Sequence, residues 1–544
     1  MANAKYTIPM PPNEPVGTYA PGTPEREAVK AALARLRNQH IEIPLLIGGK
    51  EVRTGRVAEC LLPHDHKTVI GTFHQAGPKE VEMAIEAAIK ARKDWAAMDW
   101  HDRIAVFLKA ADLLSGPWRA VLNAATMLGQ SKTVFQAEID SACELIDFFR
   151  FNAYYAMQIF EEQPPYSPRE MWNRMEYRPL EGFVFAVTPF NFVSIAGNLP
   201  SSPAMVGNVS LWKPASNAVY PAYHLMRLFQ EAGLPEGVIN FMPGPGSQVG
   251  PLVLASPHLA GIHFTGSTET FRAMWKTVGE NIKGYRCYPR IVGETGGKDF
   301  VVAHPSADVK ALGVALIRGA FEYQGQKCSA ASRAYIPRSI WGDLRDFMVS
   351  ELKTVKMGDV EDFTNFMTAV IDRGAFAKIS GYIESIKKSS EADLVFGGGC
   401  DDSRGFFIEP TVAVTTNPRF RTMEEEIFGP LLTVYVYEDD KYEETLRLCD
   451  ETSPYGLTGA VFSQDRRALA KAERILVNAA GNFYINDKPT AAVVGQQPFG
   501  GSRASGTNDK AGSLWNMLRW VSPRAIKENF VPPLDYRYPF MEEK

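Results

Sequence analysis

Cys328 lies in Phe321-Glu-Tyr-Gln-Gly-Gln-Lys-Cys-Ser-Ala330, directly after Lys327 in a short turn of glycine and glutamine. A free thiol has a pKa of roughly 8.5, and adjacent positive charge or backbone N–H groups lower it, so this setting predicts a thiolate that attacks carbonyl carbon. Such an attack needs a donor for the developing oxyanion. Asn191, in Thr188-Pro-Phe-Asn-Phe192 just past a strand-like run, has the right amide for it. Hydrolysis of the adduct then needs a base. Glu294, in Ile291-Val-Gly-Glu-Thr-Gly-Gly-Lys298, lies among glycines that let a ligand approach the backbone, and its carboxylate could activate water. Each residue has an ordinary role open to it as well: a buried thiol, a turn or cap asparagine, a loop glutamate. Neither composition nor periodicity separates Glu294 from the other glutamates.

The texture of the chain says what must position these groups. From about Lys79 to Tyr155 apolar residues return at helical spacing, and Gln163-Pro-Pro-Tyr-Ser-Pro-Arg169 breaks that pattern. Short β-branched or aromatic runs follow at 182–187, 209–212, 238–242 and 261–264, each leading through Gly, Pro or Ser into a helical stretch. Strand, turn and helix repeated in this way predict a parallel sheet with crossover helices, which binds nucleotides at the carboxyl ends of its strands. Runs at 299–302 and 431–437 predict a second α/β domain. Phe264-Thr-Gly-Ser-Thr-Glu-Thr270 is a strand end entering a helix, where free N–H groups suit a pyrophosphate or a plain Ser/Thr cap. Gly244-Pro-Gly-Ser-Gln-Val-Gly250 is one residue too long for a dinucleotide fingerprint. In Glu424-Glu-Glu-Ile-Phe-Gly-Pro430 an acidic side chain before a turn could hold a ribose, or simply face solvent. His64 and His66 flank Asp65 without further ligands at metal-binding spacing.

With 544 residues, 45% of them hydrophobic, the chain is expected to form two or three domains. The 58 basic and 62 acidic residues give a net charge of -4 with no basic run, which argues against nucleic acid or an anionic membrane as partner and for small-molecule substrates. Six scattered cysteines without C-x-x-C spacing suit a reducing compartment. The first residues lack an apolar signal core and the first arginine is Arg26, so a cytoplasmic protein is expected, or a mitochondrial matrix one whose transit peptide has been removed. The longest apolar run, 182–197, is broken by Pro189 and Asn191. The aromatic and proline-rich stretch 529–540 is expected to pack on the body or on another subunit.

Taken in order, Pro189-Phe-Asn191, Lys213-Pro-Ala215, Phe264-Thr-Gly-Ser267, Glu294-Thr-Gly-Gly297, Gly325-Gln-Lys-Cys328 and Glu426-Ile-Phe-Gly-Pro430 resemble the motifs of the aldehyde dehydrogenase superfamily from about Ile43 onward. Gly293-Glu-Thr-Gly-Gly-Lys-Asp-Phe300, the segment around Cys328, Gly495-Gln-Gln-Pro-Phe-Gly-Gly501 and Ala504-Ser-Gly-Thr-Asn-Asp-Lys510 look like its branch acting on L-glutamate γ-semialdehyde, the open form of 1-pyrroline-5-carboxylate. The resemblance implies an α/β fold with a Rossmann-type cofactor domain (1–163 and 181–297), a catalytic domain (298–513), and an oligomerisation element with a C-terminal tail (164–180 and 514–544).

It further implies Cys328 as nucleophile, Asn191 as oxyanion donor and Glu294 as base. NAD contacts would fall to Thr188, Lys213, Ser216, Gly266, Ser267, Thr268, Glu269, Thr270, Glu426 and Phe428. Substrate contacts would fall to Ser329, Phe192, Ala491, Ala492 and Phe499. Many relatives carry Glu where this chain has Ser216, so NADP is expected to be tolerated. Relatives usually carry glycine at Ala491, and an alanine there would be strained by about 1 kcal/mol if the position needs φ > 0. No metal is implied; a homodimer or larger homo-oligomer is. Two other readings stand beside this one: a dehydrogenase of another short acid semialdehyde such as succinate semialdehyde, and a catalytically silent binding protein.

Overall fold

The computed structural model describes residues 6–543. Its first seven-stranded sheet runs in the order Arg290–Glu294, Leu259–Thr265, Phe183–Val187, Val209–Lys213, Ile239–Phe241, Leu45–Ile47 and Lys50–Val52. The first five strands are parallel, and the last two are added antiparallel. Val209–Lys213 is buried along its whole length, with helices Pro78–Ala97 and Val193–Met205 packed against it. Cover of this kind is why such strands read as unbroken apolar runs rather than as alternation. The chain moves outward from Phe183–Val187 through the next two strands, then returns to its other side with Leu259–Thr265. That reversal opens a crevice at the carboxyl ends of the two strands, the place where α/β sheets bind ligands.

A second seven-stranded sheet has the order Ala392–Phe396, Thr411–Thr415, Leu431–Tyr437, Ala331–Pro337, Asp299–Ala303, Thr458–Phe462 and Asn482–Ile485, antiparallel only at its first pair. Phe300 and Val302 belong to one apolar cluster, Val301 and Ala303 to another, so the alternation of one strand feeds a core on each face. The mixed α/β architecture is the one the sequence predicts.

Met171–Pro179, inside the stretch 164–180 expected to serve oligomerisation, pairs antiparallel with the remote Val521–Asn529, from Met171 opposite Asn529 to Pro179 opposite Val521. The aromatic tail does not pack on the body, since Leu534 is 100% and Phe540 84% exposed. The helical texture from about 79 to 155 is borne out by a series of helices from Pro78–Ala97 to Leu145–Glu161, the last entered through the π-helical segment Glu138–Glu144. All six cysteines are free. No helix among the described residues is long and apolar enough to cross a membrane. His64 is buried between Ser131 Oγ at 3.0 Å and Asp359 at 3.6 Å, and burial pulls its pKa down to about 4.

Candidate active site

Helix Val309–Phe321 delivers the chain to the segment that ends in Cys328, and this segment is held in an unusual shape. Tyr323, Gln324 and Gly325 follow one another in the left-handed region, with φ of 51°, 56° and 66°. Non-glycine residues pay about 1–2 kcal/mol each for that conformation, so something must hold it. The Gln324 amide does so, donating to Ala369 O at 2.7 Å, Thr368 Oγ1 at 2.9 Å and Ser131 O at 3.1 Å while its oxygen accepts from Thr368 N. Gln326 Oε1 accepts from Ile371 N at 2.9 Å. At position 325 a Cβ would stand 2.3 Å from Gly429 O, so only glycine fits.

Lys327 does not play the part its sequence position suggests. Its ammonium turns to Glu322 at 3.3 Å and its charge is spent there. Burial, followed by the charges of Asp299, Glu294 and Glu426, pushes the Cys328 thiol well above its usual range. That direction favours the thiol over the thiolate, the opposite of what the neighbouring lysine suggests in the sequence. The buried Asn191 precedes helix Val193–Met205 and donates to Gln326 O at 3.0 Å, which lays its amide over the nucleophile segment.

Glu294 ends strand Arg290–Glu294 and accepts from Gly501 N at 3.3 Å. Burial raises its pKa well above the carboxylate range, against the pull of that N–H group and of Lys510. Cys328 and Glu294 line one cavity of about 730 Å³, together with Ser329, Phe192, Ala491, Ala492 and Phe499. Ala491 is not among the residues of positive φ, so the alanine is unstrained and the conditional penalty does not arise.

The same cavity is lined by two carboxyl groups that sequence reasoning missed, Glu144 and Asp147. Glu144 closes the π-helical segment and accepts from Ser194 Oγ at 3.0 Å; burial and the neighbouring Asp140 push it up to about 8. Asp147 is pushed up to about 6, chiefly by burial. Asp140 caps helix Val193–Met205 through the N–H groups of Val193 and Ser194 and pairs with the buried Lys132 at 2.5 Å. The Lys132 ammonium lies 4.3 Å from the Phe192 ring centre and 4.5 Å from that of Tyr323, fixing the aromatic wall beside the nucleophile segment. Carboxylates spaced along an otherwise apolar helical run were the available signal.

Most of the remaining predicted residues lie just past strand ends of the first sheet, while Glu426 and Phe428 reach Gly297 and Phe190 from the segment that leads into the second. Thr188 Oγ1 accepts from Trp212 Nε1 at 3.0 Å, and Ser216 is exposed with its hydroxyl 3.5 Å from Gly244 O. Ser267 caps helix Thr268–Glu280 by accepting from Thr270 N, with Gly266 just before it. Glu269 is turned to Arg272 at 2.7 Å on the surface, so its backbone rather than its carboxylate is available to a ligand. Glu426 accepts from Gly297 N at 2.9 Å, and a Cβ at Gly296 would come within 2.3 Å of its carboxylate. Phe428, at φ 62°, sets its ring edge-on to Phe190 at 5.7 Å.

Lys213 supplies the test of whether a dinucleotide fits. It is 9% exposed and has no carboxylate partner among the described residues, and burial lowers its pKa to about 8. The turn at Gly246 faces it with no side chain, since a Cβ there would stand 3.9 Å from Nζ. A buried cation without a counter-ion, beside a helix start at the carboxyl edge of the parallel sheet, is an arrangement completed by an anionic or polyhydroxylic ligand.

The aldehyde dehydrogenase family model matches residues 51–526. The mitochondrial delta-1-pyrroline-5-carboxylate dehydrogenase of Dictyostelium discoideum is 53% identical over 540 residues, covering 99% of this chain and 97% of its own. The Homo sapiens protein of the same name is 50% identical over 531 residues, covering 97% and 94%. Among solved structures, the delta-pyrroline-5-carboxylate dehydrogenase of Mycobacterium tuberculosis bound with NAD matches with a TM-score of 0.96 at 52% identity, covering 99% of this chain and 100% of that one.

Proposed function

Because the chain belongs to the aldehyde dehydrogenase family, we propose that it catalyses the NAD-dependent oxidation of L-glutamate γ-semialdehyde to L-glutamate, a step of proline breakdown. The observation that carries this reading is the single cavity in which a thiol, a raised glutamate and two further carboxyl groups meet. The thiol and Glu294 do the chemistry, while Glu144 and Asp147 give the far end of a short amino acid a place for its ammonium group.

Cys328 Sγ attacks the aldehyde carbon as its proton passes through Glu294 to solvent, and Asn191 exchanges its bond to Gln326 O for one to the oxyanion of the thiohemiacetal. Lys213, Thr188, the 266–270 turn and Glu426 would hold the dinucleotide, and Ser216, with a hydroxyl where a carboxylate would repel a 2′-phosphate, would let NADP be tolerated. NAD held there would supply the hydride acceptor for the thiohemiacetal carbon. Glu294 then takes a proton from water as it attacks the Cys328 thioester, releasing the acid and restoring the thiol. Ser329 and the backbone of Ala491 and Ala492 receive the α-carboxylate, and Phe192 and Phe499 flank the methylene chain.

In this reading 1–163 with 181–297 is the cofactor domain and 298–513 the catalytic domain. The remote-strand ribbon and tail (164–180 and 514–544) join copies into a dimer or larger assembly, which would cover the exposed aromatics. The relatives named mitochondrial support a mitochondrial location. The test is NADH formation by purified protein with pyrroline-5-carboxylate and, in parallel, succinate semialdehyde. Preference for pyrroline-5-carboxylate is expected; preference for succinate semialdehyde overturns the substrate assignment.

A further inference from the structure

The cavity wall has a contributor outside the residues shared with the family model: Asn13, Glu14 and Val16 line it, whereas the family match begins at residue 51. These residues belong to an extended segment with no regular secondary structure, so its position depends on what it bonds. The Asn13 amide donates to Asp147 Oδ2 at 2.7 Å and to Val494 O at 2.7 Å, and its oxygen accepts from Gln496 Nε2 at 2.8 Å. Glu14 N donates to Asp147 Oδ1 at 2.8 Å, and the Glu14 carboxylate is clamped by Arg119 at 2.5 Å and Arg150 at 2.6 Å. Farther on, Glu138 accepts from Gly17 N and from the Tyr19 hydroxyl, each at 2.7 Å.

One asparagine thus adds a polar tie between two parts of the wall that otherwise meet through apolar packing. One is the loop that carries Ala491 and Ala492. The other is the helical segment that carries Glu144 and Asp147. Val494 is itself packed against Phe148 and Phe151, but that apolar contact leaves the loop's polar edge to Asn13. Both oxygens of Asp147 are occupied by the segment, so where this carboxylate points is decided by residues 13 and 14. An α-amino acid needs its carboxylate and ammonium sites at a set separation, whereas a plain aldehyde does not.

We propose that the segment around Asn13 is a strap that determines substrate specificity, with Asn13 bracing the 491–496 loop against Asp147 so that the cavity prefers an aldehyde with an α-amino acid end. The inference rests on the glutamate semialdehyde reading above. Asn13→Asp keeps the side-chain volume but loses both donated hydrogen bonds and sets a second carboxylate against Asp147. In the NAD-supplied enzyme, KM for glutamate γ-semialdehyde is expected to rise on the order of tenfold with kcat within about twofold, the scale of losing hydrogen bonds to a charged group. Propanal, which has neither group, is expected to keep its KM within about twofold. Asn13→Ala serves as a second variant and is expected to move in the same direction, should the aspartate fail to fold. A variant that shifts both substrates alike, or neither, overturns the strap. Wild-type enzyme that does not favour glutamate semialdehyde over propanal removes the substrate reading itself, and the strap proposal with it.

Discussion

Two loops bound the same cavity and are held in opposite ways. The 323–328 segment is buried, takes a left-handed path through two non-glycine residues, and is gripped by the side chains of Gln324 and Gln326. The 490–496 loop is largely half-exposed and unstrained at Ala491, and is tied by its own turn, by Val494 and by an asparagine from the far end of the chain. Bond making at a carbonyl tolerates little displacement, whereas recognition of a short flexible substrate can be adjusted from outside. On the proposed assignment, rigidity lies where the reacting thiol sits and adaptability where the substrate's identity would be read.

The contrast can be broken at its strongest point first. Cys328→Ser should lower turnover on the order of 10⁴-fold or more while NAD binding, followed by fluorescence titration, persists. Glu294→Gln should leave a first-turnover burst of NADH in stopped flow and cut the steady state by about 10² to 10⁴. Since Glu294 must be ionised to act and burial raises its pKa, kcat should climb with pH through a limb lying above the usual carboxylate range; an acid limb near 4, about the unperturbed value, contradicts this role. Gln324→Ala should strand several buried backbone groups and let the left-handed path relax, costing roughly 10² in kcat and lowering the melting temperature. Ala491→Gly, at the other loop, should change stability by no more than about 1 kcal/mol and leave kcat nearly unaltered, because there is no strain to relieve.

Strands covered on both faces were readable because covered strands are apolar throughout: the run 431–437 coincides with strand Leu431–Tyr437, and 182–187 and 209–212 lie within a residue of theirs. Residues close to strand ends, such as Thr188, Lys213 and Glu294, were nameable for the same reason. What stayed hidden depends on packing between distant segments. The charge of Lys327 looked available to Cys328 until Glu322 was seen to hold it. Glu144 and Asp147 look like a solvated helix face until the chain around Asn13 closes over them. The partner of Met171–Pro179 is a strand that no local pattern could name.

That pairing has a consequence for how the protein is made. Residues 171–179 must wait for 521–529, roughly 350 residues later by the register, and at ribosomal rates of about 5–20 residues per second the wait is about 20–70 s. All strands of the first sheet have been synthesised by residue 294 and can assemble long before then. Meanwhile a nine-residue edge carrying Trp172 stands with its hydrogen-bonding groups unmet, open to any other nascent chain. The Met171–Pro179 edge thus stays open longer than any strand of the first sheet, and shielding it during synthesis protects the chain at its most exposed stage.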